Sequence, residues 1–236
     1  MVYGIVVAGG IGSRMGGETP KQFMLLKGKP IIIYSIETFL ASAAIDSVIV
    51  LTPAEWVEYA KQLIREHCKE AVAKSIQVLP GGSIRNETIM NAIRFIDEAG
   101  NLDDNTVIVT HDAVRPLVTD RMIRDNIEAV RECGAAATVI NATDTIICSG
   151  DGNKVDTVPD RTTMFQAQTP QSFYAKELAA VYQTLTDEDK NALTDATKIY
   201  VLKGKTVKLV QGERYNIKIT YPQDIATAEA LMGSIK

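Results

Sequence analysis

The chain has 236 residues, of which 46% are hydrophobic, and a formal net charge of −4. This length can bury a sizeable core, in one large α/β domain or in two small ones. The negative charge argues against a general nucleic-acid binder. Three cysteines are too few and too scattered for a disulfide framework or a cysteine-rich metal site. No stretch approaches the roughly 20 apolar residues of a membrane span, so we expect a cytoplasmic protein without membrane or nucleic-acid partners.

Apolar runs of strand length alternate along the chain with stretches whose apolar residues recur at helical spacing. The predicted strands are 2–7, Ser47–Leu51, Ser75–Leu79, Thr106–Thr110, Ala135–Ile140, Val207–Val210 and Ile217–Thr220. The predicted helices begin at Pro30, at Pro53, at Arg85, after the N-cap Thr119, at Ala175 and at Pro222. This alternation predicts a single α/β domain over residues 1–236, with a Rossmann-like, mostly parallel twisted sheet and helices on both faces.

Residues 143–159 break this alternation. Ile146–Cys148 and Val155 flank a turn of serine, glycine, aspartate and asparagine, which predicts a protruding β-hairpin arm. The arm is too short and too polar to form a core of its own. We therefore expect it to pack against a second copy of the chain in a homodimer.

The first predicted strand ends in a glycine-rich loop with Gly9, Gly10 and Gly12, followed by the cations Arg14 and Lys21. Glycines let backbone N–H groups close around an anion and the cations add positive charge, so the loop predicts a nucleotide-phosphate site. A glycine-rich turn with two solvated cations is the alternative. The spacing matches neither a Walker loop nor the dinucleotide fingerprint, which argues against an NTPase and against an NAD(P)-binding reductase.

Two further predicted strands end in polar loops that would face the same edge of the sheet. Gly81 and Gly82 allow a planar ligand to approach closely, and Asn86 and Thr88 can hydrogen-bond a base or ribose, although a helix cap explains the same residues. Asp112 can hold Mg²⁺ together with phosphate oxygens, or it can cap a turn or pair with a neighbouring arginine.

Lys218 lies between two isoleucines of the last predicted strand, where its side chain either turns out to solvent or points into a site. His111, one of only two histidines, is interpreted as a packed neighbour of Asp112 because a zinc site needs more ligands. No constellation for a catalytic nucleophile is present. Cations, glycines and one aspartate are the residues typical of phosphoryl or nucleotidyl transfer.

Motifs distributed along the whole chain resemble those of the cytidylyltransferases for sugar-alcohol phosphates, nucleotidyltransferases of GT-A-like type. The motifs are residues 8–15 with 20–23, 111–116, 168–171 and 216–220. Residues 85–89, Val114 and residues 193–199 are more similar to the ribitol-5-phosphate branch than to the 2-C-methyl-D-erythritol 4-phosphate branch. The resemblance implies transfer of CMP from CTP to D-ribitol 5-phosphate, giving CDP-ribitol and pyrophosphate for teichoic-acid-type polymers. Methylerythritol phosphate is the alternative acceptor, and a non-catalytic nucleotide sensor is a further alternative.

The resemblance also implies roles for individual residues. The residues implied to act in catalysis are Arg14, Lys21, Arg161 and Lys218. The residues implied to bind CTP are Val7, Ala8, Gly9, Gly10, Gly12, Gly81, Gly82, Arg85, Asn86, Glu87, Thr88 and Asp112. The residues implied to bind the acceptor are Arg115, Arg161, Thr194 and Lys218, and Asp112 is implied to bind Mg²⁺ or another divalent cation. A homodimer in which Arg161 and Thr194 reach the partner's site, and a reductase that supplies ribitol phosphate, are further implications.

Overall fold

The protein was analysed as a computed structural model that describes residues 1–10, 19–68, 75–193 and 195–234. The strands are β1 (Val2–Val7), β2 (Leu25–Leu26), β3 (Lys29–Pro30), β4 (Ser47–Thr52), β5 (Ser75–Pro80), β6 (Val107–Asp112), β7 (Ala135–Asn141), β8 (Phe165–Tyr174) and β9 (Lys208–Gln211). The helices are α1 (Ile31–Ala41), α2 (Val57–His67), α3 (Arg85–Glu98), α4 (Asp120–Cys133), α5 (Ala175–Gln183), α6 (Asp187–Asn191), α7 (Thr197–Leu202) and α8 (Gln223–Ser234).

In these residues the main sheet has seven strands in the order β5-β4-β1-β6-β8-β7-β9. Every neighbouring pair is parallel except the two pairs that contain β8, which runs in the opposite direction. The predicted α/β class with a mostly parallel sheet is therefore confirmed. No helix in the described part of the chain is both long enough and apolar enough to cross a membrane.

Helices cover both faces of this sheet, as the hydrophobic runs predict. On one face, α1, α2 and α4 supply Phe39, Leu63 and Ile123 to a core that includes Val6 and Val48. On the other face, the helices α3, α5 and α7 pack on the alternate residues of the same strands. Strands β4 and β6 are buried along their whole length, because a parallel strand sandwiched between helix layers has no solvent-facing side.

The register of the central strands brings their carboxyl ends to one edge. Val7, the last residue of β1, lies opposite Asp112 at the end of β6 and opposite Leu51 of β4. Thr52 of β4 in turn lies opposite Pro80, the last residue of β5. The loops that follow β1, β5 and β6 therefore meet at this edge, which is where ligands bind in open α/β sheets.

The structure differs from the sequence-based expectations at five places. The long central strand Phe165–Tyr174 was not anticipated, and the predicted strand Ile217–Thr220 is absent, because these residues have no ladder partner. The acidic segment beginning at Asp187 is a short helix rather than a turn, and the helix Thr197–Leu202 was also missed. The predicted hairpin arm, residues 143–159, contains a single antiparallel bridge between Cys148 and Thr157 and no extended strands.

Candidate functional site

A cavity of about 260 Å³ opens at the edge where the central strands end. Its described lining comes from the loop after β1, the loop between β5 and α3, the end of β6 and the segment before α8. The lining residues are Val7, Ala8, Gly9, Gly10, Lys21, Gln22, Gly82, Ser83, Ile84, Arg85, Thr88, Asp112, Val114 and Lys218. Segments far apart in the sequence thus contribute to one concave site, as the predicted convergence of loops requires.

The loop after β1 is held in place by a buried glutamine. Gln22 is 1% exposed, and its Nε2 donates to the carbonyl oxygen of Ala8 at 2.7 Å. This bond ties the short 3₁₀ turn Lys21–Phe23 to the end of β1 and so brings Lys21 to the cavity. The predicted phosphate-binding residues Gly12 and Arg14 lie outside the described residues.

The loop between β5 and α3 is closed by the first turn of that helix. Thr88 accepts a hydrogen bond from the N–H of Gly82 at 3.0 Å and donates to the carbonyl of Ile84 at 3.0 Å. Glu87 accepts from both the backbone N–H and the hydroxyl of Ser83. A Cβ at Gly82 would lie 2.5 Å from the Glu87 Cβ, so this close contact requires glycine. The glycine and Thr88 therefore have a structural role here, in addition to any contact with a ligand.

Asp112 is the electrostatic centre of the cavity. Its Oδ1 lies 3.0 Å from Arg85 Nε and its Oδ2 lies 2.8 Å from Lys218 Nζ. Burial alone would raise the pKa of the Asp112 carboxyl, but the positive charges of Arg85 and Lys218 outweigh it and hold the pKa below its usual range. Arg85 Nη1 and Nη2 are buried without a hydrogen-bond partner among the described residues. Asp112 is thus ionised and paired with these two cations, not with Arg115.

His111 lies behind this centre and stays neutral. The ring is fully buried, which lowers the pKa of His111 to about 4. Its Nε2 is 3.0 Å from the carbonyl oxygen of Arg115, which can only accept, so Nε2 carries the proton. Nδ1 then accepts from the Thr169 hydroxyl at 2.9 Å, and that hydroxyl accepts from the Asp112 N–H at 3.2 Å. The histidine supports the strand end, as the sequence predicts, and does not face the cavity.

The remaining predicted site residues lie elsewhere. Arg115 is turned away from the cavity lining, because its guanidinium donates to the backbone carbonyls of Asn216 and Ala167. Arg161 donates to the carbonyl of Thr143 at the base of the arm. The predicted residues Gly81, Asn86 and Glu87 are next to the cavity but do not line it, and Thr194 lies outside the described residues.

Two lining residues escaped sequence reasoning as site residues: Gln22 and Val114. Each is adjacent to a predicted residue, so the signal that could have found them is their position inside the same loops. Gln22 follows the predicted phosphate-binding Lys21 directly. Its amide donates a hydrogen bond to the backbone of Ala8, and the amino-acid sequence does not reveal such a bond.

The family model of 2-C-methyl-D-erythritol 4-phosphate cytidylyltransferase matches residues 2–234. The chain belongs to this family. Its members are CTP-dependent cytidylyltransferases, so the chain is a nucleotidyltransferase that uses CTP and a sugar phosphate. This result favours the transferase over the alternative of an NAD(P)-binding reductase.

Solved structures agree with the family. The structure of 2-C-methyl-D-erythritol 4-phosphate cytidylyltransferase from Francisella tularensis is 26% identical, with a TM-score of 0.79, and the match covers 97% of this chain and 98% of that one. The enzyme of the same name from Thermus thermophilus is 25% identical, with a TM-score of 0.72 and the same two coverages. A 4-diphosphocytidyl-2C-methyl-D-erythritol synthase from Anaerococcus prevotii is 24% identical, with a TM-score of 0.80 over 98% of this chain and 96% of that one, and this likeness shows the fold.

Proposed function

We propose that this cytidylyltransferase transfers the CMP group of CTP to D-ribitol 5-phosphate, releasing pyrophosphate and forming CDP-ribitol for teichoic-acid-type polymers. The observation that carries the proposal is the composition of the cavity, where Lys21 and Lys218 line the same space as Gly9, Gly82 and Asp112. A sensor that only bound the nucleotide would need no second cation for an acceptor. Cations contributed by two different segments are what a transfer between two phosphates requires.

In the proposed reaction, an oxygen of the acceptor phosphate attacks the α-phosphorus of CTP, and the bond from this phosphorus to the leaving pyrophosphate oxygen breaks. Lys21 and Arg14 stabilise the negative charge on the α-phosphate and on the pyrophosphate. Lys218 holds the acceptor phosphate in line with the α-phosphorus. A phosphate monoester is already largely ionised at pH 7, so the attacking oxygen needs no general base.

The nucleoside part of CTP is assigned to the two glycine-containing loops. Residues 7–10, residues 82–85 and Thr88 line the cavity, and Gly9 and Gly82 contribute only backbone atoms to that lining. Arg85 adds two guanidinium nitrogens that have no partner among the described residues and can donate to the ribose or phosphates. Cytosine and ribose would therefore be bound mainly by main-chain groups.

Asp112 is the residue that would bind Mg²⁺. The described residues contain no cluster of three histidine, cysteine, aspartate or glutamate side chains arranged for a metal. A single carboxylate nevertheless fits Mg²⁺, which is commonly held by one or two carboxylates together with substrate phosphates and water. When bound, the ion would neutralise charge on the phosphates. Both oxygens of Asp112 now accept from Arg85 and Lys218, so one of these contacts would give way to the ion.

The identity of the acceptor distinguishes two candidate reactions. Thr88, Val114 and residues 193–199 support ribitol 5-phosphate, because these positions are more similar to that branch of the family. The family model and the solved structures named above support 2-C-methyl-D-erythritol 4-phosphate, the acceptor in their names, as the second candidate. Val114 lines the cavity and packs beside Ile219, so one of the discriminating positions lies next to Lys218.

The arm is assigned to a homodimer contact. Ile147, Val155 and Val158 each expose more than half of their surface on this segment, and such apolar side chains are expected to be covered by a partner. Arg161 follows the arm and does not line the cavity of its own chain. In the proposed dimer, Arg161 contacts the acceptor in the partner's cavity. A reductase that forms ribitol 5-phosphate is the partner activity that this acceptor requires.

The test is a pyrophosphate-release assay with CTP, Mg²⁺ and each acceptor in turn. We expect kcat/KM to be higher for D-ribitol 5-phosphate than for 2-C-methyl-D-erythritol 4-phosphate. The reverse order would overturn the proposed acceptor while leaving the transferase intact. Nucleotide binding without pyrophosphate release from either acceptor would favour a sensor.

A further inference from the structure

Lys218 stands on a segment without regular secondary structure. Residues 216–220 follow β9 and precede α8, and none of them is paired in a sheet or coiled in a helix. The ion pair from Lys218 to Asp112 therefore cannot be aligned by a ladder of backbone hydrogen bonds. Some other contact must fix the position of this lysine relative to the end of β6.

One such contact follows Lys218 in the sequence. The N–H of Ile219 donates to the carbonyl of Val114 at 2.9 Å, and the Ile219 side chain is completely buried in a small apolar cluster with Leu26 and Ala228. These contacts fix one end of the short segment. Apolar packing is not directional, so it does not by itself set the direction in which Lys218 points.

Asn216 supplies the directional contacts at the other end of the segment. The side chain is completely buried, and its Nδ2 donates to the carbonyl of Thr169 at 2.8 Å and to Gln168 Oε1 at 3.2 Å. The backbone carbonyl of Asn216 accepts from Arg115 Nη1 at 2.8 Å. These bonds attach the segment to β8 and to the loop after β6, and Asn216 lies only two residues before Lys218.

Strand β8 also forms a hydrogen bond with Asp112, the last residue of β6. Thr169, whose carbonyl accepts from Asn216, uses its hydroxyl to accept from the N–H of Asp112 at 3.2 Å. Asn216 and Asp112 are thus bonded to the same residue of β8, while Lys218 and Asp112 are joined by their side chains. These contacts therefore link Lys218, Asn216, β8 and Asp112 in a closed set.

We propose that Asn216 is a positioning residue for the transfer reaction, which acts by directing Lys218 toward the acceptor phosphate. The proposal rests on the acceptor role of Lys218 proposed above. Asn216 Oδ1 is buried without a partner among the described residues, an arrangement that costs stability and that an apolar residue of the same size would avoid. The two bonds that the amide nitrogen donates orient the segment.

Asn126 offers a matched control. It is also completely buried, and its Nδ2 also donates to one backbone carbonyl, of Met122, and to one side-chain oxygen, of Thr138. Asn126 lies on α4 and does not line the cavity. Asn216→Ala and Asn126→Ala therefore remove buried amides whose nitrogens make the same kinds of bond, although the Asn126 Oδ1 also accepts from the Ser172 hydroxyl at 3.5 Å.

The experiment measures pyrophosphate release for Asn216→Ala, Asn126→Ala, Lys218→Met and the double variant Asn216→Ala/Lys218→Met, with the better of the two acceptors. We expect Asn216→Ala to lower kcat/KM for the acceptor about 10- to 100-fold while the KM for CTP changes less than about threefold. Asn126→Ala should stay within about threefold of wild type, although both variants lose stability in urea.

The double variant tests whether Asn216 acts through Lys218 or through the stability of the fold. If Asn216 acts through Lys218, adding Asn216→Ala to Lys218→Met lowers kcat/KM no further. Multiplicative losses, or an Asn216→Ala variant that behaves like Asn126→Ala, would overturn the inference. A Lys218→Met variant with normal turnover would instead overturn the proposed role of Lys218 itself. If Asn216→Ala does not fold, Asn216→Leu compared with Asn126→Leu decides by the same criteria.

Discussion

Replacing Lys218 by methionine tests the proposed acceptor site most directly. The substitution keeps the unbranched shape of the side chain, shortens it by one atom and removes its charge. In the free protein the Lys218 side chain is 44% exposed and pairs with Asp112 at 2.8 Å. The Asp112 side chain is only 11% exposed, so removal of the lysine leaves a largely buried carboxylate with one cation fewer, although Asp112 keeps its contact with Arg85. We therefore expect the free energy of unfolding in urea to fall by about 1–3 kcal/mol.

The substitution should also slow the transfer reaction. A charge-assisted hydrogen bond to a phosphate is worth about 1.5–3 kcal/mol, which corresponds to a loss of about 10- to 150-fold in kcat/KM for the acceptor. Initial rates of pyrophosphate release at varied acceptor and saturating CTP measure this loss. CTP should bind nearly as tightly as to the wild type, since Lys218 lies on the acceptor side of the proposed reaction.

Lys29→Met is the matched control. Lys29 is similarly exposed, at 32%, and pairs with Glu37 at 2.7 Å outside the cavity lining. Both partners of this pair are partly exposed, so the variant should lose less stability than Lys218→Met, and it should retain its rate. A Lys218→Met enzyme whose kcat/KM stays within about threefold of the Lys29→Met enzyme would refute the assigned role.

Three further predictions concern the loop, the metal and a buried thiol. Gly82→Ala should raise the KM for CTP and cost about 1–3 kcal/mol of stability, because the new Cβ would lie 2.5 Å from that of Glu87; kinetics and urea unfolding measure both effects. Mg²⁺ alone should bind weakly in calorimetry and more tightly with CTP present, because Asp112 is the one carboxylate lining the described cavity; equal affinity in both conditions would contradict the assignment. Burial raises the pKa of the Cys68 thiol from 9.0 to about 11. At pH 8 the thiolate fraction of Cys68 is therefore about 100-fold lower than that of a thiol with a pKa of 9.0. An aromatic disulfide reagent should modify the two exposed cysteines, Cys133 and Cys148, first. Because the folded-state pKa of this acid is raised, its stabilising contribution is complete below pH 9 and is lost as the pH rises toward 11. The decline in stability above pH 9 should be smaller in Cys68→Ala than in the wild type, and the part that remains comes from groups such as Tyr200, whose pKa is also raised by burial.

The general architecture and the location of the site could be predicted from sequence because both depend on local signals. A β-branched run followed by Gly9 and Gly10 indicates a strand and its ligand-binding end. Thr119 was predicted as an N-cap, and its hydroxyl does accept from the N–H of Met122. Asp112 could likewise be selected from its place after an apolar run, since strand ends in such folds face ligands.

The contacts of Asp112 could not be predicted in the same way. Its two cationic partners, Arg85 and Lys218, lie 27 and 106 residues away in the sequence, and no local pattern links them to it. The sequence suggested Arg115 as a partner because it is close along the chain. In the folded protein that guanidinium instead donates to Asn216 and Ala167 carbonyls, which are brought near by tertiary packing.

Strand β8 was missed because its sequence lacks the usual strand pattern. Gln168, Thr169, Gln171 and Ser172 are polar, and Pro170 cannot donate to a ladder, yet all five lie in the centre of the sheet. Their burial is possible because partners satisfy many of the polar groups: Thr110 donates to the carbonyl of residue 171, and Asn216 donates to that of residue 169. A strand stabilised by such bonds is not visible as a hydrophobic run.

The reversed direction of β8 also determines where the chain can accept insertions and deletions. β7 ends, and β8 begins, at the edge where the parallel strands end, so the arm of residues 143–159 leaves and re-enters the sheet there. The last ladder pair, Asn141 with Phe165, closes the sheet immediately before this excursion. The arm can therefore be lengthened, shortened or exchanged without shifting a strand by a single residue. It is a natural position at which to graft a new acceptor preference onto an unchanged nucleotide-binding framework.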